Sequence, residues 1–263
     1  MRWRDATDWM AVRRLATNPW EVVRFRKNQR ENQVLEVRLR AAPPLTLRGK
    51  TSDFHMFHRI FLNDEYRLRS CGGPRWECMV DLGGNIGVFT SRVAPHCARV
   101  ITYEPEPSNF AALEANTRGY PNVTRVRAAV TDHDGEIRLY QPIHAGTRGV
   151  FSTHPEAELV SSDYNTVPAI TLDRLFEQHQ VTRCDLLKID VEGAEYEILP
   201  AAAPETLARI ERIHGEYHDV APEKPITRIE NFVPFLEAQG FAVDVDAHPR
   251  KPNHGMFFAR RRS

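Results

Sequence analysis

Cysteine is scarce in this chain of 263 residues, which contains only four. Cys71, Cys78, Cys97 and Cys184 form no CxxC pair and no repeated spacing, which argues against a zinc site and against a disulfide framework. Long apolar runs are also absent, since none approaches the ~18 residues that a membrane span needs. The first residues lack the apolar stretch of a signal peptide. The sequence therefore predicts a cytoplasmic protein with reduced cysteines and no membrane partner.

An excess of charge of either sign is missing as well. The chain balances 35 basic against 35 acidic side chains, which removes the usual electrostatic argument for a nucleic-acid partner. The balance is uneven along the chain, because residues 1–70 hold 15 basic and 8 acidic side chains and residues 71–263 hold 20 and 27. This shift predicts an N-terminal extension over residues 1–70 and a main domain over residues 71–263.

From residue 78 onward, short apolar segments alternate with helical patterns, which indicates an α/β fold with parallel strands and crossover helices. The predicted strands cover residues 78–82, 99–103, 123–130, 185–189 and 210–217. The predicted helices cover residues 87–93, 108–116, 171–178, 192–199 and about 226–239. Residues 241–245 and 256–260 flank a turn and predict a terminal hairpin, so the last strand is expected to enter the sheet antiparallel. The extension is predicted to contain helix and strand.

A glycine-rich turn joins the first of these strands to its helix, and it contains Gly83, Gly84, Asn85 and Gly87. A dinucleotide site requires GxGxxG, but here Asn85 replaces the second glycine and Asp81 stands two residues before the first. An acid at this position favours a ligand that carries an amino group over one that carries a pyrophosphate. S-adenosylmethionine fits this requirement, and a tight turn without any ligand is the alternative.

Glu104 ends the next strand, 23 residues after Asp81, where a carboxylate can accept hydrogen bonds from both hydroxyls of a ribose. Capping of the following helix is the competing interpretation. At the end of the third strand, Ala128 and Ala129 are small enough for a flat adenine ring to lie against them, and two core alanines would look the same. These residues complete the predicted cofactor site.

Four sequence motifs together resemble the FkbM-type family of S-adenosylmethionine-dependent methyltransferases. They are the Asp-Leu-Gly-Gly-Asn-Ile-Gly run from residue 81, Tyr-Glu-Pro at 103–105, Ala-Ala-Val at 128–130 and Lys-Ile-Asp-Val-Glu-Gly-Ala-Glu at 188–195. The resemblance covers about residues 50–260, including the segment from Asp53 to Tyr66. It implies a Rossmann-like class I methyltransferase sheet and methyl transfer, usually to oxygen, on a small molecule such as a secondary metabolite. It does not name the acceptor.

The residues themselves indicate which kind of atom accepts the methyl group. An Asn/Asp-Pro-Pro-aromatic motif for amine methylation is missing after the fourth strand, and so is a Pro-Cys nucleophile for carbon methylation. An alcohol needs a base, and side-chain alternation along the fourth and fifth strands predicts that Asp190, Glu192, Glu216 and His218 converge beside the cofactor. We assign His218 the base role because an unperturbed imidazole titrates near neutral pH. Glu216 or Asp190 would orient the imidazole or the hydroxyl.

Several alternatives remain open at this point. His218 could be a surface histidine, and Glu192 could be a helix N-terminal carboxylate. Asp190, Glu216 and His218 could hold Mg²⁺, although we favour a site without metal. A nicotinamide-dependent oxidoreductase and a binding protein without turnover are the competing classes. The extension could be a cap over the cofactor, a homodimer surface or an accessory helix, and the polar segment 147–166 could be a substrate-side loop.

Overall fold

The computed structural model describes residues 5–71, 75–142, 152–153, 160–219, 228–249 and 253–262. Its centre is a seven-stranded sheet in the order β11-β12-β10-β9-β3-β4-β5. These strands are β3 (Trp76–Leu82), β4 (Cys97–Tyr103), β5 (Val123–Val126), β9 (Leu186–Ile189), β10 (Arg212–His218), β11 (Phe241–Ala247) and β12 (His254–Arg261). Only β12 runs antiparallel to its neighbours within this sheet, which confirms the predicted fold class.

Helices connect the strands of the sheet and cover its faces. They are α4 (Val88–Val93), α5 (Pro107–Thr117), α6 (Leu172–Gln178), α7 (Glu195–Ala201), α8 (Pro204–Ala208) and α9 (Ile229–Ala238). Because β3, β4, β9 and β10 are parallel, their carboxyl ends lie along one edge of the sheet, which is where open α/β sheets bind ligands. No helix in the described ranges has both the length and the apolar character needed to cross a membrane. All four cysteines are buried and free, as expected.

A second sheet of three strands lies after β5, in the order β6-β8-β7. Its strands are β6 (Ala129–Thr131), β7 (Gly135–Pro142) and β8 (Val160–Thr171). The predicted single strand over residues 123–130 is therefore two strands in different sheets. The predicted loop over residues 147–166 was wrong from residue 160 onward, because β8 forms an antiparallel pair with β7. Residues 162–166 of β8 are exposed and mostly polar, which is also typical of a loop. Residues 147–151 and 154–159 of that segment lie outside the described residues.

The chain after β9 also differs from its prediction. The helix expected from Glu192 begins instead at Glu195, and Glu192 has a left-handed backbone with a φ of 55°. Glu192 is therefore not a first-turn carboxylate of α7, and that alternative was wrong. Asp173 lies in the first turn of α6, and Gly240, with a φ of 87°, follows the end of α9.

The N-terminal segment contains α1 (Asp5–Leu15), α2 (Pro19–Lys27), β1 (Val34–Val37), β2 (Leu45–Arg48), α3 (Asp53–Phe57) and a π-helical turn (His58–Leu62). Its side chains share one hydrophobic cluster with the central sheet, in which Phe57 and Phe61 lie together with Met79 and Phe89. Arg48 adds polar contacts, because its guanidinium pairs with Asp53 and also donates to Asn109 Oδ1 at 2.8 Å. The boundary near residue 70 remains a prediction, since this cluster crosses it.

We expect Phe57→Ala to lower the free energy of unfolding of the whole chain by about 3–5 kcal/mol, because Phe57 is fully buried in the shared cluster. Chemical denaturation followed by tryptophan fluorescence and by circular dichroism should give one coincident transition at a lower midpoint. Val34→Ala, at a position 60% exposed, is the control and should leave the midpoint almost unchanged. Two separate transitions, with only one shifted, would show that residues 1–70 fold independently.

Candidate functional site

The glycine-rich turn after β3 is shaped by close contacts with neighbouring strands. A Cβ on Gly83 would lie 1.9 Å from the carbonyl oxygen of Asp190, and the φ of Gly83 is +78°. A Cβ on Gly84 would lie 2.3 Å from Thr102 Oγ1. Only glycine fits these two positions, and the packing lets the turn lie directly against the ends of β9 and β4. Asn85 follows in the left-handed region, with a φ of 49°.

Glu104 anchors the other side of this turn. Its Oε2 accepts the N–H of Asn85 at 2.7 Å, and its Oε1 accepts the N–H of Glu106 at 2.9 Å. The cap of α5 is Glu106, whose carboxylate accepts the N–H of Asn109, so the capping interpretation of Glu104 was wrong. Burial raises the pKa of Glu104 to about 7, although its two backbone hydrogen bonds oppose the shift.

A cavity of about 1080 Å³ opens at the carboxyl ends of the strands. Five of the eight predicted cofactor residues line it: Gly83, Asn85, Glu104, Ala128 and Ala129. Asp81, Gly84 and Gly87 do not line it. The same cavity extends from Ala128 and Ala129 to the carboxyl ends of β9 and β10. A nucleoside bound against the two alanines and a second molecule bound at these strand ends would therefore occupy one cavity.

Asp81 is fully buried beneath the turn. Thr90 donates its hydroxyl to Asp81 Oδ2 at 2.6 Å, and Lys188 Nζ lies 3.2 Å from Asp81 Oδ1. The same ammonium donates to the carbonyls of Leu82 at 3.1 Å and Gly83 at 2.6 Å. This arrangement gives Asp81 a supporting position, in which it holds the turn through Lys188 rather than facing the cavity.

The four predicted catalytic side chains meet at the other half of the cavity. Asp190, Glu216 and His218 each offer an oxygen or nitrogen, and these atoms all lie within 4.8 Å of one another. Glu192 Oε2 lies 3.3 Å from His218 Nε2. The predicted convergence of the ends of β9 and β10 is therefore present in the structure.

His218 is buried between two carboxylates, so the surface-histidine alternative was wrong. Glu195, which is completely buried, accepts the backbone N–H of His218 at 2.7 Å and lies 3.2 Å from its Nδ1. Burial alone would lower the pKa of His218, but Glu192, Glu195 and Glu216 outweigh it and raise the pKa well above its usual value. The unperturbed imidazole assumed for the base role is therefore absent, and His218 holds a proton at neutral pH.

The neighbouring carboxyl groups have opposite shifts. Burial would raise the pKa of Asp190, but Lys188, His218, Arg59 and the hydroxyl of Tyr66 together lower it, so Asp190 is ionised. For Glu192, burial raises the pKa to about 8, with Asp190 among the carboxylates that add to the shift and His218 opposing it. Glu192 therefore titrates near physiological pH.

The N-terminal segment supplies side chains that the sequence analysis did not place in the site. Tyr66 donates its hydroxyl to Asp190 Oδ2 at 2.9 Å, and Arg59 donates to Glu216 Oε2 at 2.6 Å and also pairs with Glu65. The signal available in the sequence was the resemblance over residues 53–66, which pointed to this segment without assigning roles.

Asp190, Glu216 and His218 also have the ligand chemistry for a divalent cation. In the structure each of them already has a protein partner: Tyr66 for Asp190, Arg59 for Glu216, and Glu192 and Glu195 for His218. A metal would have to compete with these contacts, in particular with the guanidinium of Arg59.

The strand order, the glycine-rich turn and the acid at the end of β4 define a class I S-adenosylmethionine-dependent methyltransferase. The methyltransferase FkbM domain matches residues 81–243, and the chain belongs to this family. Its methyl donor is S-adenosylmethionine. This assignment replaces the nicotinamide alternative.

Curated relatives agree with this family. The chain is 29% identical over 194 residues to Methyltransferase 1 of Beauveria bassiana, covering 66% of this chain and 75% of the relative. It is 27% identical over 154 residues to the hexuronic acid methyltransferase AglP of Haloferax volcanii, covering 58% and 61%. It is 26% identical over 222 residues to the 31-O-demethyl-FK506 methyltransferase FkbM of Streptomyces tacrolimicus, covering 74% and 84%.

We expect Lys188→Met to destabilise the protein by about 3–5 kcal/mol, because it leaves the buried carboxylate of Asp81 without its cation. Thermal unfolding should show a large decrease in melting temperature at neutral pH. Lys27→Met, at an exposed position of α2, is the control. An unchanged melting temperature for Lys188→Met would contradict the supporting role of this ion pair.

Proposed function

We propose that the chain methylates a hydroxyl oxygen of a small-molecule acceptor. The observation that carries this proposal is the group of carboxylates around His218, which lies in the same cavity as the glycine-rich turn and can take the proton that an alcohol must lose. The names of two relatives support it, since one is a 31-O-demethyl-FK506 methyltransferase and the other a hexuronic acid methyltransferase.

We further propose that the protein acts in the cytoplasm.

The residues of the cavity fit S-adenosylmethionine. Glu104 is held by two backbone N–H groups, and its oxygens can still accept hydrogen bonds from two ribose hydroxyls. Ala128 and Ala129 offer a flat apolar wall for the adenine ring. When bound, the cofactor supplies an electrophilic methyl group on a positively charged sulfur.

Proton removal from the acceptor is assigned here to Glu192 instead of His218. An effective base has a pKa near the working pH, and Glu192 has a pKa of about 8, so its ionised, proton-accepting fraction is small at pH 7 and becomes the larger one above pH 8. His218 keeps its own proton and faces Glu192 across 3.3 Å, where it stabilises the ionised carboxylate. Asp190 and Glu216, at the adjoining strand ends, orient the hydroxyl.

Binding of S-adenosylhomocysteine should strengthen as the pH rises from 6 toward 7.5 and then level off, because the ribose hydroxyls donate to the ionised form of Glu104. Isothermal titration calorimetry at several pH values measures this dependence. Glu104→Gln should weaken binding about tenfold or more and remove the pH dependence. The control is Glu114→Gln, at an exposed position of α5 that does not line the cavity, and it should bind like the wild type. Tight binding by Glu104→Gln would refute the ribose contact.

The rate of methyl transfer should increase with pH up to about 8, with a roughly tenfold loss per pH unit below that value, because Glu192 must be ionised to accept the proton. The measurement is a pH profile of kcat with a hydroxylated acceptor found by screening with labelled methyl donor. Glu192→Gln should lower kcat by about 10²–10⁴ and abolish this rise, while Glu205→Gln, at an exposed position of α8, should keep the wild-type profile. A wild-type profile in Glu192→Gln would exclude Glu192 as the base.

A further inference from the structure

The walls of the cavity carry many more negative than positive side chains. Among the described residues, eight acidic side chains line it: Asp64, Glu65, Glu104, Asp190, Glu192, Glu216, Asp219 and Asp246. The lysine and arginine side chains that line it are Arg59 and Arg67. Three of these acids, Asp190, Glu192 and Glu216, lie together around His218, where the acceptor is proposed to bind.

Both arginines are already neutralised by the protein. Arg59 pairs with Glu65 and donates to Glu216 at 2.6 Å. Arg67 pairs with Asp244, lies 3.5 Å from Asp246 and stacks over a phenylalanine ring at 3.8 Å from its centroid. Neither guanidinium is therefore available to an anionic group of a ligand without breaking an existing ion pair.

Among the described residues, Arg92 lies 2.7 Å from Asp64, and the seven other acids still outnumber the cationic groups that contact them. The ammonium of Lys188 lies behind the wall against Asp81. His218 is cationic but sits between Glu192 and Glu195. His55 lines the cavity, and its pKa is lowered to about 4 by burial and by Arg59, so it is neutral.

Glu192 lies among these carboxylates, and burial is the main cause of its raised pKa. Burial raises its pKa to about 8 even though His218 opposes the shift, and Asp190, Glu216 and Glu195 each raise it further. A positive group placed among these carboxylates would relieve their repulsion, whereas a carboxylate or phosphate would add to it. The cofactor contributes one net positive charge, which is fewer than the excess of acids on the walls.

We propose that the acceptor is a hydroxylated small molecule with a protonated amine close to the hydroxyl that is methylated. This inference rests on the proposed function and specifies its substrate class. Carboxylates hold such an acceptor by charge-assisted hydrogen bonds from its ammonium and hydroxyl groups. The same walls disfavour a uronic acid, so the chain is expected to differ in substrate class from its Haloferax volcanii relative.

The test compares three methyl hexosides that differ only at carbon 6, which carries an ammonium-forming amine, a hydroxyl or a carboxylate. Each is titrated calorimetrically into the wild-type protein saturated with S-adenosylhomocysteine, at pH 8 and constant ionic strength. The amine should bind about tenfold or more tightly than the hydroxyl compound, and the carboxylate should bind weakest. Binding of the carboxylate compound as tight as that of the amine, or no measurable binding of the amine, would overturn the proposal.

Two variants make the comparison specific to these charges. Glu216→Gln releases one side of Arg59 and should reduce the amine-to-carboxylate affinity ratio, whereas Arg59→Met removes the cation and should increase it. Glu237→Gln, an acid on α9 outside the cavity wall, should leave the ratio unchanged. If neither charge variant moves the ratio, the proposal is wrong. Failure of S-adenosylhomocysteine itself to bind would contradict the proposed function instead.

Discussion

The buried ammonium of Lys188 is the interaction on which the site depends. It is 1% exposed, and a charge so deeply buried is tolerated only when it is paired and hydrogen-bonded. Asp81 and the carbonyls of Leu82 and Gly83 meet this requirement, so one side chain of β9 fixes the end of β3. The glycine-rich turn, which would bind the cofactor, is thereby held in place from below.

The same ammonium lies 4.0 Å from Asp190, which belongs to the group of carboxylates around His218. It helps to keep Asp190 ionised, together with the hydroxyl of Tyr66, which comes from the N-terminal segment. One buried cation therefore links the glycine-rich turn to Asp190 at the end of β9, and Tyr66 of the N-terminal segment contacts the same Asp190. A hydrophobic cluster also continues from the N-terminal segment into the central sheet.

Much of the fold could be predicted because the parallel strands are buried and appear as short apolar runs, and because glycine and acid mark their ends. The first half of β8 was missed since residues 162–166 are exposed and mostly polar, so its pairing with β7 leaves little trace in the sequence. Helix α7 was started three residues too early, because the left-handed turn at Glu192 and Gly193 has no signature beyond a single glycine.

The convergence of Asp190, Glu216 and His218 followed from strand alternation, but their protonation states did not. These depend on Glu195, Arg59 and other groups that are distant in sequence and close in space. An imidazole that appears suited to act as a base is therefore held protonated by its neighbours. Burial and pairwise charge are three-dimensional quantities, and only the structure supplies them.

A crystal structure of the complex with S-adenosylhomocysteine tests this account most directly. The account predicts that the ribose hydroxyls bind the carboxylate of Glu104, that the adenine lies against Ala128 and Ala129, and that the sulfur faces the group of Asp190, Glu192 and His218. A ligand bound elsewhere, or a sulfur directed away from these carboxylates, would contradict it.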